Sequence, residues 1–356
     1  MWGWSLTGTV KVMGRILIFG TALFLFFLTG CDPGQGRMEA PVLYLQNESL
    51  KAGILAEVGG RLVFLDRPGG DNFLKSDTAL WDEPVEERID PAPESEFKEY
   101  NGHIIWLGPQ SEWWTHQDLN TGRKAGKAVW PPDPYLVYSG YKVVEQTPTS
   151  VLMEGPPSPV SGVRLSKKYS LSGSTLEIEV TMTNTSTLPV SWDIWSNARF
   201  EGHTDFFVPD CAEGILRIST EDSKNTGRLD PEIVDSVFTF VSHPPGPGQT
   251  RRYAKAFLHP EEGRIVAVSG DNMVVMSFEY VEPERIHPDQ GFVEIYKLIT
   301  RSGEGDLLEL EHHSAFTTLQ PGESFSMTEK WSVHDYKGNG EMKDHIEFYN
   351  QIKKLQ

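Results

Sequence analysis

Between Thr175 and Thr183 the apolar residues Leu176, Ile178, Val180 and Met182 alternate with Glu177, Glu179, Thr181 and Thr183. Period two over this length predicts a strand with one wet face and one buried face. The cluster Asn184-Thr-Ser-Thr-Leu-Pro189 reads as a turn, closed by a proline that cannot donate to a ladder. A second strand then runs from Val190 to Phe200. Its even positions (Val190, Trp192, Ile194, Ala198, Phe200) are core material apart from Ser196, while the odd ones are Ser191, Asp193, Trp195, Asn197 and Arg199. An acid, an aromatic, an amide and an arginine in one row read as a recognition surface. The same row also reads as a solvated outer face carrying one exposed tryptophan.

The rest of the chain repeats strand signals. Val42–Leu45, Gly53–Val58, Gly60–Asp66, Tyr141–Gln146, Ser150–Glu154 and Val163–Leu171 are predicted strands, separated by glycine and proline turns. Residues 75–100 are acidic and proline-bearing, and read as a surface loop. Residues 208–250 read as mostly loop, after which strands return at Tyr253–Leu258, Arg264–Ser269, Met273–Tyr280, Phe292–Thr300, Leu307–His313 and Ser324–Val333. One short amphipathic helix is expected from Asp344, with Asp344 as N-cap, Glu347 three residues on, and Ile346, Tyr349 and Ile352 on one face. No other segment has a helical pattern. Strands throughout without βαβ alternation predict a single large all-β antiparallel sandwich over 42–335, followed by a C-terminal tail and helix over 336–356.

Composition narrows the function. The 356 residues carry a formal charge of −18. Such a surface repels nucleic acid and anionic headgroups, which excludes DNA or RNA as partners. Two cysteines, Cys31 and Cys211, provide no disulfide framework and no cysteine metal site. No His-x-x-x-His pair, calcium-loop spacing or phosphate loop occurs, so neither metal nor cofactor is expected. At the N-terminus, Lys11 and Arg15 precede the apolar run Ile16–Leu28, too short for a comfortable span and typical of a secretory signal. Leu28-Thr-Gly-Cys31 resembles the lipobox of bacterial lipoproteins. That resemblance implies cleavage before Cys31, lipidation of Cys31, a tether over 32–41 and anchorage in the bacterial cell envelope, facing the periplasm or the exterior. Loss of Lys11 and Arg15 would leave the mature chain at −20.

Aromatic residues concentrate in Gly102-His-Ile-Ile-Trp-Leu-Gly-Pro-Gln-Ser-Glu-Trp-Trp114 and Trp130-Pro-Pro-Asp-Pro-Tyr135. Tryptophans in irregular segments make flat walls on which sugar rings stack, although each also has a packing reading. Together with Val180–Val190, the strand carrying Leu308-Glu309 and the turn Leu319-Gln-Pro-Gly-Glu323, these segments resemble the galactose mutarotase (aldose epimerase) superfamily. The similarity is greatest to a bacterial branch described only as a domain of unknown function, with Lys255-Ala-Phe-Leu-His-Pro260 among the matching stretches. The resemblance spans roughly 45–335 and implies a twisted β-supersandwich with a sugar cleft.

Carried over, the resemblance sets Glu309 where the family's general base lies, with Glu311 on the same strand face. The family's two histidines have no counterpart, since neither Pro132–Leu136 nor Ile194 and Trp195 supplies one. Ring opening needs an acid opposite the base; His103, His203 and His313 are the substitutes available. Two functions follow. The first is a lipid-anchored carbohydrate-binding protein whose ligand contacts are Asp193, Trp195, Asn197, Arg199, His103, Trp113, Trp114 and Trp130. The second is an epimerase-like enzyme using Glu309 or Glu311. A structural envelope protein is a third class, and other envelope proteins are further candidate partners. In the first two, Trp195, Asn197 and Arg199 are expected to face Glu309 and Glu311 across one cleft. The even residues Trp192, Ile194, Leu308 and Leu310 are expected to be buried.

Overall fold

The computed structural model describes residues 42–84, 87–220 and 225–354. The signal segment, Cys31 and the tether expected within 1–41 lie outside the described residues. In chain order the structure begins with β1 (Leu43–Gln46), β2 (Lys51–Leu55), β3 (Arg61–Asp66) and β4 (His103–Gly108), then helices α1 (Thr121–Ala125) and α2 (Pro134–Tyr138). Next come β5 (Lys142–Gln146), β6 (Ser150–Glu154), β7 (Val163–Ser172), β8 (Thr175–Asn184), β9 (Val190–Phe200) and β10 (Asp205–Phe207). They are followed by β11 (Ile215–Ser219), β12 (Thr226–Arg228), β13 (Asp230–Val234), β14 (Val237–Val241), β15 (Arg251–Leu258), β16 (Arg264–Ser269) and β17 (Asn272–Phe278). The last elements are β18 (Val293–Thr300), β19 (Leu307–His313), β20 (Thr317–Leu319), β21 (Ser324–Asp335) and α3 (Met342–Lys353).

Two sheets carry the architecture. The larger runs β1-β2-β3-β4-β9-β19-β18-β15-β11, with β20 added beside β9 and β12 beside β15. The other runs β10-β16-β17-β21-β8-β7-β6-β5, and β13–β14 is a separate hairpin. Of these pairings β12–β15 is parallel and the others are antiparallel. The large antiparallel sandwich expected from the alternation is therefore the observed fold.

Alternation explains β8: Leu176, Ile178, Val180 and Met182 are wholly buried while their neighbours stay half-exposed. Each such side chain contributes roughly 1.5–3 kcal/mol on leaving water. Strand β9 behaves differently. It lies between β4 and β19, and from Trp192 onward both of its faces are buried. Its even face meets the second sheet, where Phe200 stacks on Trp331 at 6.4 Å. Its odd face lies under a roof formed by the segment between β4 and β5 and the loop that precedes β4, described below.

Several sequence expectations are corrected. Residues 208–250 are mostly outside strands, as expected, but also hold β11 to β14, short strands whose mixed composition hides any period. The short helices α1 and α2 sit where no helix was expected; each is launched by a side-chain cap, from Asn120 to Arg123 N and from Asp133 to Tyr135 N. Helix α3 starts at Met342 with Glu341 as N-cap, so Asp344 lies inside the first turn, where its charge suits the helix dipole. Ile346 and Tyr349 pack with Phe207, Val266, Met273 and Tyr336 in a small second core.

Between the sheets lies a sealed polar cluster. Glu329 accepts from Trp331 Nε1 (2.8 Å) and Ser196 Oγ (3.0 Å), and meets His103 Nε2 at 2.9 Å and His312 Nε2 at 3.1 Å. Burial pushes its carboxyl up, but the two imidazoles outweigh this and hold it well below the usual carboxylate range. A depressed acid contributes stability above its unfolded value, and that stability is lost as pH falls. Removing one partner of such a cluster strands the others in a dry interior. Glu329→Ala is expected to cost about 3–5 kcal/mol, read as a lowered urea midpoint. An unchanged midpoint would show that the sheets hold together without this carboxylate.

Candidate functional site

Antiparallel register assembles the site from the odd residues of neighbouring strands. Arg199 stands opposite Glu309, Asn197 opposite Glu311 and Trp195 opposite His313 across β9 and β19. Beyond β19, Glu311 faces Glu294 and Glu309 faces Tyr296 on β18. Tyr296 in turn faces Lys255 on β15, Glu294 faces Phe257, and Phe257 faces Arg217 on β11. The predicted residues therefore do share one face, but the expected geometry is corrected. Residues of β9 and β19 do not look at each other across a cleft; they lie side by side in one sheet.

The row is held by charges. Arg199 Nη2 lies 2.7 Å from Glu309 Oε1, off the direction of a hydrogen bond, and its Nη1 donates to Asn101 Oδ1 at 2.8 Å. Asn197 Nδ2 donates to Glu311 Oε1 at 2.6 Å. Lys255 Nζ sits 2.7 Å from Glu294 and 3.0 Å from Glu311. His313 lies 3.0 Å from Asp193 and 3.4 Å from Glu294, and Gln290 joins it at 2.8 Å. Gly108 must lack a side chain here, because a Cβ would fall 2.0 Å from Gln290 Nε2 and 2.5 Å from Asp193 Oδ2.

Burial decides the protonation states. It raises Glu311 first of all; Lys255 opposes this, the carboxylates of Glu309 and Glu294 add to it, and the carboxyl rises to about 8. For Glu294 burial acts upward, but Lys255 and His313 outweigh it and hold the group at about 2. Burial lowers His313, yet Asp193 and Glu294 lift it to about 9. The row thus sets Arg199 against Glu309, Lys255 against Glu294 and His313 against Asp193, while Glu311, raised to about 8, accepts from Asn197 with its carboxyl largely neutral at pH 7.

Accessibility divides the row. Its β4–β9 end is roofed by aromatic rings: Trp195 lies 5.0 Å from Trp106 and 5.8 Å from Trp113, and Phe97 sits 4.8 Å from Trp130. Trp195 is thus a buried member of a ring cluster rather than the exposed stacking platform expected, and Asp193 and Asn197 are buried with it. The indole N–H groups of Trp113 and Trp114 are spent on the carbonyls of Leu107 and Pro131, which leaves Trp113 and Trp114 as packing residues. His103 points to the opposite face, into the Glu329 cluster. Trp130, at 43% exposure, is the most exposed ring of the roof, and Phe97 is half-buried. His203 lies away from the row, beside Asp205 and His345.

Toward β18 and β15 the row opens. Tyr253, Lys255, Phe257 and Tyr296 are half-buried, Arg217 is exposed, and Glu309 retains 8% exposure. Of these only Glu309 was singled out from sequence. Splitting Arg251–Leu258 by parity would have found the others, since Tyr253, Lys255 and Phe257 alternate with the buried Ala254, Ala256 and Leu258. Clefts of about 660 and 530 Å³ lie elsewhere, by Asp66–Phe73 and by Pro159–Gly162 with Trp192. Volume alone does not mark the row; its chemistry does. Among the described residues no group of three or more His, Cys, Asp or Glu is arranged to hold a metal ion.

A family model described as Domain of unknown function (DUF4380) matches residues 41–334. No curated protein matches the chain. Among solved structures, a galactose mutarotase related enzyme from Lactobacillus acidophilus superposes with a TM-score of 0.50 at 11% identity, covering 83% of this chain and 98% of that one. A Klebsiella pneumoniae protein provisionally described as an aldose 1-epimerase gives a TM-score of 0.50 at 14% identity, covering 87% and 82%. At these identities the likeness shows the fold, which is galactose mutarotase-like.

The raised groups fix a pH dependence. His313 and Glu311 both titrate higher folded than unfolded, so the stability they contribute is complete below their unfolded values and is lost as pH rises through about 8 to 9. The thermal midpoint is expected to fall between pH 7 and pH 9.5. Glu311→Gln, permanently neutral at that position, should flatten the fall. Parallel profiles for the two proteins would mean that Glu311 is already ionised in the fold.

Proposed function

The chain belongs to the DUF4380 family, and from that membership and the geometry of the row we propose that it is a carbohydrate-binding protein of the bacterial envelope. The ligand lies on the open half of the row, along Glu309, Tyr296, Lys255 and Phe257, and is bounded by the Trp130 wall. The mutarotase-like fold supports a carbohydrate-related role. The lipobox-like Leu28-Thr-Gly-Cys31 supports anchorage through a lipid on Cys31.

One observation favours binding over ring-opening chemistry. Glu309 is the carboxylate of the row that retains contact with solvent, and its Oε1 sits against the Arg199 guanidinium. The groups that could protonate a ring oxygen opposite it are sealed: Glu311 shows 0% exposure and His313 1%. The half-buried Tyr296 faces Glu309, but burial pushes its phenol up to about 12, where it is a poor acid at neutral pH. Lys255 is also half-buried; burial lowers its pKa, but Glu294 and Glu311 outweigh this and raise it, which makes it a still poorer proton donor. An accessible base candidate without a competent acid in reach binds a sugar and leaves it unchanged.

Glu309→Gln separates the two activities. Titration calorimetry of residues 32–356 with a glycan panel is expected to give millimolar or tighter binding that survives this substitution within about tenfold, because the amide keeps the shape and one acceptor. Polarimetry on freshly dissolved sugars is expected to show no acceleration of anomerisation by either protein. Acceleration by the wild type that Glu309→Gln abolishes would overturn the binding reading in favour of an epimerase.

The anchor is tested on the full chain expressed in a bacterium. Wild type is expected to partition into detergent, whereas Cys31→Ser remains unprocessed. Recovery of wild type as a soluble protein with a free Cys31 thiol would refute lipidation.

A further inference from the structure

The open face of the large sheet alternates cations with rings. Arg217 Cζ lies 3.8 Å from the centre of the Phe257 ring. Lys255 Nζ lies 5.6 Å from the same ring and 4.9 Å from Trp195. Arg199 Cζ closes the series, 5.2 Å from Phe97 and 5.8 Å from Trp106. Inside the row each cation is matched by a carboxylate, as described above. Arg217 is the exception: it is exposed and donates to the main-chain oxygen of Asp289 at 3.1 Å. Among the described residues no carboxylate lies within ion-pair distance of it. Held over Phe257 and by Asp289 O through Nη2, the exposed guanidinium keeps further N–H donors for a ligand. That geometry matches a carboxylate, whose two oxygens accept in parallel.

Between Arg217 and Glu309 the face carries Phe257 and Lys255 on β15 and Glu294 and Tyr296 on β18, with Tyr253 beyond Lys255. Tyr253 and Tyr296 lie 6.0 Å apart at 34°, both half-buried with ring surface toward solvent. From β11 to β19 three strand spacings make about 14 Å, room for more than one sugar ring.

We infer that the ligand of this face is an acidic oligosaccharide, one of whose carboxylates is received by Arg217 while the chain continues past Lys255 onto Tyr296 beside Glu309. The inference rests on the proposed sugar-binding reading and adds the ligand's charge. Among the described residues Arg217 is a cation without a carboxylate partner beside a charge-balanced row, and it selects an anion at one end and neutral hydroxyls along the rest. It does so on a chain whose −18 charge repels anions everywhere else. Specificity then comes from contact with Arg217 rather than from long-range attraction.

The test uses residues 32–356 and trimers of uronic acids in gluco, galacto and manno configurations, each also as its methyl ester and as the neutral sugar. Esterification removes the charge and keeps the ring. For the configuration that binds, calorimetry is expected to show the free acid bound about ten- to a hundredfold more tightly than its ester. Arg217→Gln should erase that preference without moving the melting temperature. Equal binding of acid, ester and neutral trimer by the wild type would overturn the inference and leave the sugar-binding reading in place. Failure of every trimer to bind would overturn both.

Discussion

Strand β9 pairs with β19 so that Arg199 meets Glu309, Asn197 meets Glu311 and Trp195 meets His313. Much of the candidate site depends on this register, because side chains alternate strictly along both strands. A slip of one residue would drive Arg199, Glu309 and Glu311 between the sheets and bring Phe200, Leu308 and Leu310 out into the charged row. Neither side would tolerate the exchange. The inner face would gain charges without partners, and the outer face would lose the pairs that make its burial possible.

Burying charges is costly, and the protein offsets the cost by matching. Lys255 serves Glu294 and Glu311 together, and His313 serves Asp193 and Glu294. The carboxyl left over, Glu311, is raised to about 8 and accepts from Asn197. A second buried network, around Glu329, solves the same problem between the sheets with two imidazoles, an indole and a hydroxyl. The two networks lie on opposite faces of one sheet and are separated by the backbone of β9 and β19. The adjacent His312 and His313 therefore belong to different clusters, His312 to Glu329 and His313 to Asp193.

The same matching gives the face its functional character. A row sealed under tryptophans at one end and open over tyrosines at the other is rigid where it is charged and accessible where it is aromatic. Preorganisation of this kind lowers the ordering cost of binding a flexible glycan. On the proposed binding reading, it also withholds the proton donor that ring opening needs, since Glu311 and His313 are engaged in holding the row together.

The sequence alone determined much of the fold. Strict alternation in β8, and alternation broken by Lys167 in β7 and by Glu329 in β21, together with the turns between strands, makes an antiparallel sandwich the way to bury one face of each. It also determined that Asp193, Trp195, Asn197 and Arg199 share a face, because parity is a local property of a strand. Tertiary structure decided which strands adjoin and what covers them. Nothing local in Lys255 or Glu294 points to Glu311, which lies at least 17 residues away in sequence from each, and the contact exists because β18 and β15 follow β19 in the sheet. Exposure was likewise undecided. Trp195 and Trp130 have the same chemistry, yet one is buried beneath rings from other segments and the other reaches solvent. Alternation assigns a residue to a face, whereas the accessibility of that face depends on segments distant in sequence that pack over it.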